Sequence, residues 1–193
     1  MSIILLLLRL PILVVHILVG LFTILFFPKE SKNFKSSHYR IMMLWMNILS
    51  SILGIKVDIR GIPDQSANLF VSNHVTYLDI IIINKLLPVN FIAKEEISSW
   101  PVIGSLASKT GTLFIKRGDN VESTKMIYEM EERFKLQNKI VFFPEGKIGN
   151  GKRVRKFHYK LFKSIENKEL YIQPIAIRSV SYTHLRAHET NSN

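Results

Sequence analysis

The sequence predicts an α/β domain with a largely parallel central sheet flanked by helices, preceded by an N-terminal hydrophobic membrane helix and an amphipathic helix. Three observations predict it. From residue 55 onward, short β-like runs alternate with helical ones, the pattern of a layered α/β unit. Residues 3–27 are almost wholly apolar. Between 41 and 55, apolar residues recur at helical three- and four-residue spacings. At 193 residues the chain has room for one compact domain, which can bury a core without disulfides.

The apolar run is interrupted by Arg9, Pro11, His16 and Thr23. As a helix its uninterrupted part, from Leu10 onward, would reach roughly 27 Å, about the hydrocarbon thickness. A cleaved signal peptide fits less well, because no basic segment precedes the run and no small-residue cleavage site follows it. Residues 1–28 are therefore read as a membrane anchor. The basic residues just after it place the following domain on the cytoplasmic side. Residues 29–54 form a basic linker and an amphipathic helix. Its stripe is Ile41, Leu44, Trp45, Ile48, Leu49, Ile52 and Ile55, with Asn47, Ser50 and Ser51 off it. Such a helix either packs on a core or lies in the membrane interface with Trp45 at headgroup level.

Strands are expected at 55–60, 69–72, 90–93, 112–115, 140–143 and 171–177, and helices at 77–87, 101–109, 121–136 and 157–166. The 121–136 segment is apolar at Met126, Ile127, Met130 and Phe134 and polar elsewhere, a surface helix on a core. Together, 55–178 make up the folded domain. The last residues, 179–193, lack apolar periodicity and resemble a translated junction sequence. They are read as a non-native tail, and His184 and His188 carry no functional weight.

The charge is local. The net charge of +11 arises from Arg9, an excess of three over 29–40, and seven basic residues with no acid over 147–163, while 41–146 is neutral. Basic stretches beside an apolar anchor suit anionic headgroups or an acidic partner protein. Aromatics are not interleaved as stacking platforms and no nucleic-acid-binding motif is present, so a nucleic-acid partner is not expected. With no cysteine, a thiolate zinc site and a cysteine nucleophile are excluded.

His74 is the informative histidine. It lies in Ser72-Asn73-His74-Val75-Thr76-Tyr77-Leu78-Asp79, after a strand and before a helix, where open α/β sheets bind ligands. Asp79, within the next helix, can turn back toward the imidazole, fix its tautomer and raise its basicity. There is no G-x-S-x-G elbow, H-E-x-x-H, Walker loop or G-x-G-x-x-G, and His74 and Asp79 have no obvious third metal ligand. What remains is a histidine base acting on a substrate's own hydroxyl. The bland alternative is a turn histidine beside a helix N-terminal aspartate.

Three further stretches follow in order: Gly111-Thr112-Leu113-Phe114-Ile115-Lys116-Arg117, Phe143-Pro144-Glu145-Gly146, and Ile172-Gln173-Pro174-Ile175-Ala176-Ile177. With NHVTYLD, the blocks GTLFIKR, FPEG and IQPIAI resemble the four ordered motifs of the glycerolipid (1-acyl-sn-glycerol-3-phosphate) acyltransferase family. The resemblance covers about 55–177 and the apolar N-terminal region. It implies a membrane protein of the bacterial inner membrane that moves a fatty acyl group from acyl-ACP or acyl-CoA to a lysophospholipid. The acceptor it implies first is 1-acyl-sn-glycerol-3-phosphate, giving phosphatidic acid. His74 would be the base and Asp79 its orienter. Arg117 with Lys116 would hold the acceptor phosphate, and Glu145, Gly146 and the adjoining Lys147 would belong to the acceptor-binding block. Asn73, Thr76 and Lys94 border the site with either a binding or a structural role. The family needs no metal or organic cofactor. One departure stands out: after FPEG the family usually carries a hydroxyl residue, whereas Lys147 and Ile148 stand here. The glycine-then-basic stretch after them resembles bacterial members that acylate lyso-ornithine lipid. A non-catalytic basic membrane-surface binder is the alternative from another class.

Overall fold

Five short apolar runs pair side by side into one sheet, and its strand order decides which loop ends meet. The structure is a computed structural model describing residues 3–28, 34–116, 120–149 and 153–179. The strands are β1 (Ala67–Ser72), β2 (Val89–Lys94), β3 (Leu113–Ile115), β4 (Lys139–Phe142) and β5 (Tyr171–Ile175), in the order β3-β2-β4-β1-β5. Every pairing is parallel, so all five C-terminal ends lie along one edge. β1 sits between β4 and β5.

Both faces of the sheet are covered, which is why the strands read as nearly continuous apolar runs rather than alternating ones. Along β1, Leu69 points into one core with Ile140, Phe142 and Met130, whereas Phe70 points into the other with Val141, Val89 and Ile83. The period-two geometry of a strand sends neighbours to opposite faces. α5 (Asn120–Lys135) covers the first face through Met126, Met130 and Phe134, as its sequence pattern predicted. α3 (Leu78–Leu86) covers the second through Ile83. β5 is an edge strand here, and Pro174 pairs with Val71 inside it; an edge position tolerates the missing N–H.

Two expectations need correction. Residues 55–60 are not a strand. Ile55 and Val57 are partly buried but Ile59 is exposed; β5 takes the place beside β1, and the Ile55 N–H instead donates to the Ser50 carbonyl at 2.9 Å. The segment 157–166 is not an α-helix but a 3-10 turn over Tyr159–Ile165. Its buried residues Leu161 and Ser164 are three apart, the repeat of that tighter helix, and the Ser164 hydroxyl donates to the Leu161 carbonyl at 2.7 Å. α4 spans Ile103–Lys109.

The N-terminal region forms a helical hairpin. α1 (Ile3–Thr23) continues as a 3-10 turn over Ile24–Phe26, and α2 (Ser36–Ile52) returns beside it. The stretch Leu7–Phe26 is long and apolar enough to cross a membrane by length and composition. His16 stacks on Trp45 with centroids 4.5 Å apart, and the Trp45 indole donates to the His16 carbonyl at 3.2 Å. A Cβ on Gly20 would lie 2.7 Å from the Trp45 ring, so only glycine permits this approach. Further along, the Arg9 guanidinium lies against Gly54. The helices therefore run antiparallel over most of their length.

α2 divides its stripe between two environments. Leu49 of the stripe is buried, together with the off-stripe Met42 and Ser50, whereas Ile41, Leu44 and Ile48 face outward. The helix is tied to the sheet domain at both ends. Near its start, the Tyr39 hydroxyl is shared between Asn90 Oδ1 at 3.2 Å and Asn138 Oδ1 at 3.1 Å. Near its end, Lys85 Nζ of α3 donates to Ser50 Oγ at 3.2 Å. Burial raises the Tyr39 pKa, against the opposing pull of Arg133 and the Asn90 bond, so the phenol stays protonated as a donor. Tyr39→Phe should therefore lower stability by about 1 kcal/mol. Chemical denaturation in detergent checks this, and an unchanged midpoint would mean that the hydroxyl contributes nothing.

Candidate active site

β1 ends at Ser72 and α3 begins at Leu78, so a five-residue turn carries His74 and leads into the first helical turn, which holds Asp79. The acidic side chain at a helix N-terminus suits the dipole. Here it does more. Asp79 is fully buried, and its Oδ2 accepts from the Val75 N–H at 2.7 Å and the Thr76 N–H at 3.0 Å. The same oxygen lies 2.8 Å from His74 Nδ1. The H-x4-D spacing thus closes a ring in which the carboxylate holds both the turn backbone and the imidazole.

The bond settles the roles of the ring nitrogens. An ionised carboxylate only accepts, so Nδ1 carries the proton and Nε2 presents its lone pair. The imidazole also stacks on Phe143, with centroids 4.0 Å apart and planes at 14°. Its side chain is 13% exposed, enough for one ring edge to meet a substrate. If Nε2 takes a proton, the resulting imidazolium faces a buried carboxylate.

β4 delivers the second part. Its chain turns through Phe143-Pro144-Glu145-Gly146, closed by the Gly146 N–H donating to the Phe143 carbonyl at 3.0 Å. Gly146 takes a positive φ of 70°, which a side chain would oppose. Glu145 is buried, and its Oε2 accepts from the Arg155 N–H at 3.0 Å. The following loop folds back over β1: the Gly149 N–H donates to the His74 carbonyl at 2.7 Å, and the His158 N–H to the Pro144 carbonyl at 2.8 Å. A cleft of about 110 Å³ remains, lined by Asn73, His74, Val75, Glu145, Gly149, Arg153 and Val154. A larger hollow of about 280 Å³ lies between β3 and α5, over Phe114, Glu122, Lys125 and Glu129. It lacks an oriented base, so the smaller cleft is the better site.

The nominated residues separate into three groups. His74, Asp79, Glu145 and Gly146 come together because β1 and β4 are neighbours. Asn73 and Thr76 lie beside them, each with its side chain bonded to backbone. Asn73 bonds both backbone groups of Ile177, accepting at 2.7 Å and donating at 2.9 Å, which extends the β1–β5 ladder. The Thr76 hydroxyl accepts from the Leu78 N–H at 3.3 Å. Lys94 and Lys116 stand apart: they end β2 and follow β3, two and three places from β1, or about 10 and 14 Å across a sheet. Lys147 is exposed on the turn's rim. Arg117 lies outside the described residues, as does 180–193. The sequence reading missed Phe143 as a stacking partner, and Gly149 and Arg153 as cleft residues. The GNGKRVRKF run was visible as a charged patch and as a stretch resembling bacterial members, without any of its residues being assigned to the cleft.

Comparison with known proteins agrees with this geometry. The Acyltransferase family model matches residues 55–178. The chain is 35% identical over 138 residues to the lyso-ornithine lipid O-acyltransferase of Pseudomonas aeruginosa, covering 72% of this chain and 53% of that protein. It is 30% identical over 146 residues to the 1-acyl-sn-glycerol-3-phosphate acyltransferase of Neisseria gonorrhoeae, covering 75% and 57%. The crystal structure of the 1-acyl-sn-glycerophosphate acyltransferase PlsC from Thermotoga maritima shares the fold, with a TM-score of 0.55 at 20% identity over 69% of this chain and 55% of that one. The chain spans about half the length of the relatives it matches. With a family match over 55–178 that takes in both His74 and Glu145, the chain belongs to the acyltransferase family.

Proposed function

We propose that this chain is a membrane-associated O-acyltransferase that moves a fatty acyl group from an acyl-ACP or acyl-CoA thioester to the free hydroxyl of a lysophospholipid, 1-acyl-sn-glycerol-3-phosphate first. The carrying observation is the His74–Asp79 pair, a histidine whose Nδ1 is held by a buried carboxylate beside a cleft. Nε2 takes the hydroxyl proton as the oxygen attacks the thioester carbonyl. Asp79 stabilises the imidazolium. Collapse of the tetrahedral intermediate breaks the carbon–sulfur bond, and the proton on Nε2 goes to the leaving thiolate, giving an ester and a free thiol. The test is thiol release by purified protein with acyl-CoA or acyl-ACP and lysophosphatidate. If no lysolipid accelerates release, the proposal fails.

A second acceptor, lyso-ornithine lipid, is favoured by the Pseudomonas relative and by Lys147-Ile148 in place of a hydroxyl residue after FPEG. Ester formation with both acceptors, compared side by side, distinguishes the two.

The hairpin supports a surface placement of α1. α2 is bonded to the sheet domain at Tyr39 and at Ser50, and α1 lies antiparallel along it. A vertical α1 would pull the polar flank of the domain into hydrocarbon, at a cost far above that of lying in one leaflet. The outward residues of α1 and of Ile41, Leu44 and Ile48 form the apolar face that would enter the membrane, which in this reading is the cytoplasmic leaflet of the bacterial inner membrane. The chain has no cysteine, so single cysteines at Ser2 and Pro28, before and after the apolar stretch, report cleanly. Both should label from the same side of vesicles with an impermeant thiol reagent; labelling from opposite sides would establish a span.

A further inference from the structure

We infer that Arg153 is an acceptor-selecting residue, its guanidinium holding the acidic group of the lysolipid while the hydroxyl stands at His74 Nε2. The inference rests on the acyl-transfer reading above and deepens it at the same cleft. Arg153 lines the cleft together with His74 and Glu145, and it is the one lysine or arginine to do so among the described residues. Its own side chain is exposed, yet its backbone is bracketed by two bonds. The Gly149 N–H is tied to the His74 carbonyl, and the Arg155 N–H to Glu145 Oε2. Gly149 and Arg155 are thus both tied to residues of the site, and Arg153 between them in the chain lines the same cleft as the base.

Reach argues the same way. In a lysolipid the free hydroxyl and the headgroup acid are separated by only a few bonds, so the cation that reads the acid must stand close to the base. Lys94 and Lys116 end strands two and three places away, about 10 and 14 Å. Arg153 shares the cleft itself. A planar guanidinium pairs in bidentate fashion with a phosphate or a carboxylate, so the shared chemistry of the ligand is an acidic headgroup. The buried Glu145 carboxylate on the same cleft repels an acid from that side and directs it toward Arg153.

The experiment measures steady-state kinetics of wild type, Arg153→Ala and Arg153→Lys with three acceptors: lysophosphatidate, lyso-ornithine lipid and neutral monoacylglycerol. For the acidic acceptor that the enzyme uses, Arg153→Ala should raise KM about 10- to 100-fold, the loss expected for a hydrogen bond to a charged partner. The kcat and the donor KM should stay within about threefold, and Arg153→Lys should fall between. Selection of the acidic lipid over monoacylglycerol should drop by the same factor. Whichever acidic acceptor shows the effect identifies the group held, phosphate or carboxylate. If wild type turns over an acidic lysolipid and Arg153→Ala leaves its KM unchanged, Arg153 is not the selector, though acyl transfer stands. If wild type is inert with every lysolipid, the acyl-transfer reading falls and this inference with it.

Discussion

His74→Ala protein should release thiol from an acyl thioester in the presence of lysolipid about 10²- to 10⁴-fold more slowly than wild type, the usual contribution of a positioned general base. The geometry makes this a test of chemistry rather than of folding. The imidazole is at the end of β1, partly open to the cleft, and its backbone carbonyl keeps the bond from the Gly149 N–H whatever the side chain. Asp79 still accepts from the Val75 and Thr76 N–H groups, so the turn stays closed. The variant loses a stacking contact with Phe143 and one bond to a carboxylate. Its melting transition should therefore remain cooperative. If the helical hairpin carries membrane binding as proposed, vesicle binding should not change. Wild-type turnover in a folded His74→Ala protein would overturn His74 as the base and with it the mechanism.

How far the sequence could see is decided by what each feature depends on. The His74–Asp79 pair was legible because it is local: five residues of spacing and a strand-to-helix junction suffice to bring carboxylate and ring together. The cores around Leu69 and Phe70 were legible as apolar runs. Strand order was not, because it depends on which crossovers fit over the sheet, and no single segment encodes that. It matters for the site: a run ending in Lys116 and a run ending in Glu145 look alike as sequence, yet β4 lies against β1 while β3 stands three places away. Ser50 was read as the polar side of α2 and is fully buried, since Lys85 from α3 meets it there. Arg153 was hidden in a run of like charges; the loop bonds at Gly149 and Arg155, not its spacing, bring it to the cleft.

Asp79→Asn should lower kcat about 10²- to 10³-fold and leave the acceptor KM near its wild-type value. Asp79 touches no substrate in this geometry; it acts through His74, so its removal should appear in the chemical step. An asparagine oxygen in the place of Oδ2 can still accept from the Val75 and Thr76 N–H groups and from Nδ1, which preserves the turn. Two things are lost. The imidazolium formed during proton transfer no longer faces a charge, in a buried setting where that charge is weakly screened. The new amide NH₂ falls where Oδ1 now lies, a buried position with no hydrogen-bonding partner, and desolvating an unmatched donor costs about 1–3 kcal/mol. Asp79→Ala would strip the acceptor from two backbone N–H groups as well and so mix unfolding with catalysis, which is why the amide is the sharper probe. The competing view makes Asp79 only a helix N-terminal carboxylate. It predicts a stability loss of about 0.3–1 kcal/mol from the dipole and no change in kcat for protein that remains folded. Single-turnover rates on the folded fraction, measured with the melting midpoint, separate the two: a rate loss far larger than the midpoint shift explains assigns Asp79 to the histidine, and an unchanged rate assigns it to the helix.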